Sequence, residues 1–85
     1  MKTSDLCEKI EYRLLQGSMD TEVTDVIYDS RKVTEGTMFV CMVGAVTDGH
    51  KYIPDAVEKG AGVIVAEREE ACKGVPPEVT VILVE

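Results

Sequence analysis

Residues 28–50 read YDSRKVTEGTMFVCMVGAVTDGH, and this stretch decides the fold. At its centre lies an unbroken apolar run, residues 38–43, which Gly44 ends. Such a run, rich in strand-forming residues, is typical of a β-strand that is buried on both faces in the middle of an α/β sheet. Ligands of open α/β sheets bind where loops leave the carboxyl ends of strands. The stretch therefore predicts a functional centre in two segments, the polar Asp29-Ser30-Arg31 and the loop at residues 44–49.

The composition indicates one small globular domain. The chain has 85 residues, of which 45% are apolar, enough for a single core. Its formal net charge of −7 argues against a nucleic-acid partner, which needs a basic face. No apolar run approaches the ~20 residues of a membrane span, so we predict no membrane partner. The three cysteines form no C-x-x-C pair, which indicates buried free thiols in a reducing cytoplasm.

Apolar periodicity predicts a small mixed α/β sheet of about four to five strands with two or three short helices. A helix between the strands at residues 38–43 and 63–66 makes these two strands parallel, joined by a right-handed crossover. The other predicted elements are a first helix capped by Thr3 or Ser4 with Leu6, Cys7, Ile10 and Leu14 on one face, strands at residues 14–16, 23–28 and 79–84, a helix at 53–59, and one helical turn at 69–72.

The last predicted strand stops where the chain stops, whereas natural termini usually trail into solvent. We therefore expect residues 1–85 to be a single domain cut from a larger protein.

Several catalytic motifs are absent from the sequence. It contains no G-x-x-x-x-G-K-[ST] loop, so we expect no ATP site within it. One histidine and scattered serines predict no Ser/His/Asp arrangement, and the 16 acidic residues contain no pair at a spacing typical of acid–base catalysis. We predict neither a catalytic residue nor a metal ligand in this chain.

The segment Asp29-Ser30-Arg31 admits two interpretations. In the first it is a turn, in which the aspartate and the serine accept backbone N–H bonds and the arginine covers a carboxylate. In the second it is an anion site, formed by the Ser30 hydroxyl, free backbone N–H groups and a local cation. His50 also has two interpretations, a packing role at the entry to a helix or a ligand contact. Cys41 is expected in the core.

Residues 28–66 resemble the N-terminal domain of the Mur ligases, ATP-dependent enzymes that add amino acids to the UDP-N-acetylmuramoyl peptide precursor of peptidoglycan. The similarity lies in the combined pattern DSR-x-V-x-x-G-x-x-F-V and G-x-x-x-DGH-x-[YF]-I-x-x-A-x-x-x-GA. Residues 2–6 and 15–17 are similar to the type that adds the third stem residue to UDP-MurNAc-L-Ala-D-Glu. The type that adds D-Ala-D-Ala is the alternative.

The resemblance implies that this domain binds the UDP end of the substrate, while central and C-terminal domains of the same polypeptide use ATP and magnesium. It implies substrate contacts from Ser30, Tyr28 and the loop residues Ala45, Val46 and Thr47. From the residues themselves we add Arg31, Asp29 and His50 as candidate substrate-binding residues. In the loop at residues 45–47 the contacts would come from backbone groups, which do not depend on residue type. Arg31 and Lys32 supply local positive charge, and we assign one or the other to the diphosphate.

We expect Ser30 to be an exposed turn residue whose side chain barely affects folding. The alternative to a ligase domain belongs to another functional class: a small non-catalytic protein-interaction module whose acidic surface is the functional part.

Overall fold

The computed structural model describes residues 1–41 and 49–84, which form a five-stranded mixed sheet with short helices. The predicted α/β fold class is confirmed. The elements are α1 (Thr3–Leu6), β1 (Tyr12–Gln16), β2 (Val26–Ile27), β3 (Met38–Val40), α2 (Ile53–Glu58), β4 (Val63–Ala66) and β5 (Thr80–Val84), with 3₁₀ helices at Ser30–Lys32, Gly49–Tyr52 and Glu69–Cys72.

The strands lie in the order β1-β5-β4-β3-β2. Strands β2 to β5 are all parallel to one another. Strand β1 forms one edge of the sheet and is antiparallel to β5. Because four strands share one direction, their carboxyl ends (Ile27, Val40, Ala66 and Val84) meet at the same side of the sheet, which we call the carboxyl edge. The predicted parallel unit from β3 to β4 is confirmed; its handedness stays a prediction.

The central strand of the sheet is β4. The prediction that the strand at residues 38–43 is central is therefore wrong. All four residues of β4 are buried. The predicted strand at residues 38–43 is β3, Met38–Val40, which lies second from an edge. Residues 42 and 43 lie outside the described part of the chain. An apolar run indicates that a strand is buried on both faces, and this holds for β3 as well as for β4. The run therefore does not show which of the two strands is central and which lies second from an edge.

The two faces of the sheet carry separate apolar clusters. On one face, Ile53 and Ala56 of α2 pack in a cluster with Phe39. On the other face, Cys7, at the end of α1, belongs to a cluster with Val63. Because α1 is only four residues long, this second face is covered less completely than the first.

The first helix differs from the prediction. Its N-cap is Lys2, and neither Thr3 nor Ser4 caps it. The buried Thr3 hydroxyl instead donates to the carbonyl of Thr21 at 2.8 Å, because a neighbouring segment offers an acceptor there. The helix ends at Leu6, so Ile10 and Leu14 lie outside it; Leu14 belongs to β1, which begins at Tyr12.

The predicted strand at residues 23–28 is reduced to Val26–Ile27. Val23 is buried, but its N–H donates to the carbonyl of Met1 at 2.6 Å, and Lys2 forms a β-bridge with Glu22. The start of this extended segment therefore pairs with the N-terminus and only its end joins the sheet. Apolar spacing identifies an extended segment but does not show which segment it pairs with.

The second half of the chain follows the prediction closely. The helix α2, Ile53–Glu58, has Pro54 in its first turn and is followed by Gly60 at φ +101°. The strand β4 has the predicted bounds, the helical turn at Glu69–Cys72 is present, and β5 begins one residue later than expected. Within the described residues, no helix has the length and apolar character needed to cross a membrane.

Replacing Gly17 with alanine should strongly destabilise the protein. Gly17 follows β1 with φ +85°, and a Cβ there would lie 2.5 Å from the Cα of Thr80, the first residue of β5. The left-handed backbone and the clash both oppose a side chain, so we expect a loss of roughly 2–4 kcal/mol in the free energy of unfolding. Urea denaturation followed by circular dichroism measures this loss.

Gly74→Ala is the matched control, since Gly74 has φ +86° but no described atom lies within 4 Å of the added Cβ. It should cost only the roughly 1–2 kcal/mol of a left-handed alanine. Equal losses in the two variants would contradict a role for the close approach of Gly17 to Thr80.

Candidate functional site

The segment Asp29-Ser30-Arg31 leaves the sheet at the carboxyl end of β2 and forms a tight turn, which we call the DSR turn. Asp29 is the N-cap of the 3₁₀ helix Ser30–Lys32, and its carboxylate accepts the backbone N–H of Arg31 at 2.9 Å. The same carboxylate accepts a 2.8 Å hydrogen bond from Nη2 of the Arg31 guanidinium. Asp29 and Arg31 thus behave as the turn interpretation predicts, by satisfying each other.

This pairing sets the charge state of the turn. The Arg31 guanidinium, and after it the Arg31 N–H, lower the pKa of Asp29 from its ordinary 3.8 to about 2. The hydrogen bond to Asp29 in turn raises the pKa of Arg31. The two charges cancel at neutral pH, so the positive charge of Arg31 is shared with Asp29 before any anion arrives.

Ser30 is buried, with only 7% of its surface exposed, so the expectation of an exposed turn serine is wrong. The helix α2 packs beside the turn, and Nζ of Lys59, just past its end, donates to the Ser30 carbonyl at 3.1 Å. The Val33 N–H donates to the same carbonyl at 3.3 Å. Sequence spacing could not show this, because the two segments are brought together by the crossover between β3 and β4.

The Ser30 hydroxyl is in a different situation from the backbone of the same residue. It forms no hydrogen bond with any described residue. No fully enclosed side-chain nitrogen or oxygen of the described residues lacks a partner. The hydroxyl is therefore not fully enclosed by the described residues.

Tyr28 stands beside the DSR turn at the carboxyl edge and is 63% exposed. Its side chain helps to line a cleft of about 680 Å³ on the sheet face that α1 covers incompletely. We call it the apolar cleft; its lining residues are Leu6, Cys7, Ile10, Glu11, Val26, Tyr28, Met38, Val40, Val65 and Val84. Tyr28 is thus placed where a flat apolar group of a ligand can rest against it.

His50 lies in the 3₁₀ helix Gly49–Tyr52, which we call the histidine turn, and is 5% exposed. Its Nε2 accepts the backbone N–H of Glu67 at 2.9 Å and that of Arg68 at 3.3 Å. These two residues follow the central strand β4 at the carboxyl edge. The packing interpretation of His50 therefore accounts for this ring nitrogen, and a direct ligand contact stays a prediction.

The loop residues predicted to bind through their backbone, Ala45, Val46 and Thr47, lie outside the described residues. The structure does place the two ends that flank the segment. Cys41 donates its N–H to the carbonyl of Val65 at 2.9 Å, and Gly49 begins the histidine turn. Both ends belong to the carboxyl edge, as the DSR turn does.

Sequence reasoning missed Lys59 and the paired N–H groups of Glu67 and Arg68. Lys59 carries no local signal, since a lysine near the end of an amphipathic helix is ordinarily a solvated residue. The hydrogen bonds from the Glu67 and Arg68 N–H groups to His50 could have been predicted from one rule. Donors at the end of a buried strand need acceptors, and His50 is a candidate because its imidazole can accept at one nitrogen.

The thiols show no sign of chemistry. Cys7 and Cys41 are buried, as predicted, and neither belongs to a disulfide, whereas Cys72 is only half-buried because the 3₁₀ helix that carries it lies at the surface. Burial raises the pKa of the Cys7 thiol. Burial, with the charges of Glu69 and Glu70 after it, raises the pKa of Cys72. A thiol with a raised pKa is a poor nucleophile.

Metal ligation is not indicated either. No group of three or more His, Cys, Asp or Glu side chains within residues 1–41 and 49–84 could hold a metal ion. The described groups are of the kind that bind a ligand. The Ser30 hydroxyl, the exposed ring of Tyr28 and nearby cations lie at one edge of the sheet.

Residues 22–84 match the family described as "Mur ligase family, catalytic domain". A relative from Clostridioides difficile strain 630 is 46% identical over 74 residues, 87% of this chain and 15% of the relative. A relative from Clostridium acetobutylicum is 42% identical over 100% of this chain and 17% of its own length. Both are named as UDP-N-acetylmuramoyl-L-alanyl-D-glutamate–2,6-diaminopimelate ligases. The chain thus spans less than a fifth of the length of these curated relatives.

Solved structures show the same fold. The MurF ligase of Thermotoga maritima, in complex with ADP, is similar with a TM-score of 0.59 and 34% identity over 76% of this chain and 14% of that chain. A crystal structure of MurF from Acinetobacter baumannii gives a TM-score of 0.60 at 24% identity over 73% of this chain and 13% of that chain, which shows the fold alone.

The matched family covers most of the chain, and it agrees with the relatives and with the sheet architecture. The resemblance noted from the sequence is confirmed. This chain belongs to the Mur ligase family.

Proposed function

We propose that this chain forms the N-terminal domain of a peptidoglycan-synthesising ligase and binds the UDP end of UDP-N-acetylmuramoyl-L-alanyl-D-glutamate. The observation that carries the proposal is the Ser30 hydroxyl. It has no hydrogen-bond partner among the described residues, it is not fully enclosed by them, and it lies at the carboxyl edge. Parallel α/β sheets bind their ligands at this edge.

Each part of the nucleotide has a chemically suited group. The Ser30 hydroxyl can donate to a diphosphate oxygen, and a short hydroxyl approaches an anion without the burial of a second charge. Tyr28 offers the flat apolar surface that a uracil ring needs. The predicted backbone contacts of Ala45, Val46 and Thr47 would complete the uracil site.

The charge distribution supports an anionic ligand. The chain as a whole carries −7, yet five of its nine lysines and arginines belong to the DSR turn, the histidine turn or the residues bonded to them. These five are Arg31, Lys32, Lys51, Lys59 and Arg68. Because Asp29 already neutralises Arg31, the proposed diphosphate would draw its attraction from this cluster as a whole and less from Arg31 alone.

The sequence relatives favour one type of ligase. Relatives at 46% and 42% identity are named for the addition of 2,6-diaminopimelate to the muramoyl dipeptide, whereas the similar MurF structures have 24% and 34% identity. We therefore favour the type that adds the third stem residue over the type that adds D-Ala-D-Ala.

The remaining chemistry would lie in other domains of the same polypeptide. The sequence has no phosphate-binding loop, so we assign ATP and magnesium to those other domains. The relatives are several times longer than this chain. A nucleotide-sugar substrate and free thiols suit the cytoplasm.

The Asp29–Arg31 pair can be tested by titration. The carboxyl ¹³C signal of Asp29 should titrate at about pH 2, below the ordinary 3.8, because Arg31 favours the ionised form. The folded pKa is the lower one, so this pair stabilises the fold above pH 3.8 and loses its effect as the pH falls through about 2. Arg31→Gln should return the midpoint towards 3.8. Lys32→Gln is the control and should shift it much less, and an unchanged midpoint in Arg31→Gln would refute the pairing.

Ser30→Ala should weaken binding of the UDP-sugar by about 10- to 150-fold, since a hydrogen bond to a charged group is worth roughly 1.5–3 kcal/mol. The free energy of unfolding should change by less than about 0.5 kcal/mol, because the backbone contacts of Ser30 with Lys59 and Val33 do not involve the hydroxyl. Chemical-shift titration with UDP-MurNAc-L-Ala-D-Glu measures the affinity.

The matched control for this test is Ser18→Ala, at the opposite edge of the sheet, where Ser18 contacts Thr80 at the start of β5. That variant should bind as the wild type does. Equal affinities of the wild type and Ser30→Ala, both folded, would return the DSR turn to a purely structural role.

We also predict that the 85-residue chain neither binds nor hydrolyses ATP, because no phosphate-binding loop is present. Isothermal calorimetry with Mg-ATP should give no saturable heat. A micromolar dissociation constant in that titration would overturn the assignment of ATP to other domains.

A further inference from the structure

The histidine turn is fixed to the central strand through one ring nitrogen. The strand β4 ends at Ala66, and the next two N–H groups, those of Glu67 and Arg68, both point at Nε2 of His50. A nitrogen that accepts hydrogen bonds carries no proton, so the neutral ring holds its hydrogen on Nδ1. Two consecutive backbone donors on one buried acceptor define the position of the imidazole tightly.

The histidine turn continues without a break into α2, whose N-cap is Tyr52. At the other end of α2, Lys59 donates to the carbonyl of Ser30. Ile53 of α2 also shares a buried cluster with Val33, which directly follows the turn. The DSR turn and the residue that follows it therefore pack with α2, and α2 follows directly from the turn that His50 holds.

We propose that His50 is a positioning residue for the UDP-sugar site, which acts through α2 on the Ser30 hydroxyl and not by contact with the ligand. The acceptor at Nε2 sets the distance of the histidine turn from the end of β4, and α2 transmits that distance to the DSR turn. This inference rests on the proposed binding of the UDP-sugar at Ser30.

The test compares two amide substitutions of His50. His50→Gln places a carbonyl oxygen near the position of Nε2, whereas the side chain of His50→Asn is one methylene shorter and cannot reach the N–H groups of Glu67 and Arg68. Both variants are polar and similar in shape, so they differ mainly in the reach of the acceptor. Chemical-shift titration with UDP-MurNAc-L-Ala-D-Glu reads affinity from the signals of folded molecules.

We expect His50→Gln to bind within about threefold of the wild type, and His50→Asn to bind about tenfold more weakly, which corresponds to about 1.4 kcal/mol. A folded His50→Asn variant with unchanged affinity would overturn the inference. If that variant gives no folded signals, His50→Gln decides alone: affinity within threefold supports the inference, and a loss of about tenfold or more overturns it.

A double-mutant cycle separates positioning from general destabilisation. If His50 acts through Ser30, then His50→Asn should weaken binding by less than about twofold when Ser30→Ala is already present, because the group that it positions is gone. The same tenfold loss in both backgrounds would show that His50 acts elsewhere. Amide hydrogen exchange at Glu67 and Arg68 should rise in His50→Asn and not in His50→Gln.

Failure of this inference is distinguishable from failure of the proposed function. A wild-type chain that does not bind the UDP-sugar removes both. A wild type that binds, together with a folded His50→Asn variant that binds equally well, removes only the role of His50.

Discussion

Burial of β4 on both faces is the constraint on which the rest of the structure depends. Every residue of Val63–Ala66 is buried, and β3 and β5 pair with it on either side. Two covering layers are therefore required, and the chain supplies α2 for one face and the short α1 for the other. A buried strand must also have its backbone donors satisfied where it ends, and His50 meets that need for the two residues that follow it.

The carboxyl edge gains its chemical character from the same arrangement. In the DSR turn, Asp29 and Arg31 satisfy each other and shape the backbone, so that the serine between them is the one with a free polar group. Asp29 and Arg31 thus form the turn, and Ser30 is the residue whose side chain the turn leaves without an internal hydrogen bond.

The family assignment and the site assignment rest on different observations. The family is shown by identity above 40% across most of the chain and by a shared sheet architecture. The site is proposed from the free hydroxyl of Ser30, the exposed ring of Tyr28 and the position of both at the carboxyl edge. The family description speaks of a catalytic domain, whereas the described residues show groups suited to hold a substrate.

By itself the sequence determined the α/β class, the unit from β3 through α2 to β4, and the two segments that flank the carboxyl edge, because apolar periods, Pro54 and Gly60 act locally on the backbone. It also located Ser30 through a motif. Only the tertiary structure decided that β4 is central, that residues 21–23 lie against the N-terminus, and that Ser30 is buried beside Lys59. These features depend on which distant segments meet, and partners across the chain leave no local pattern from which they could be predicted.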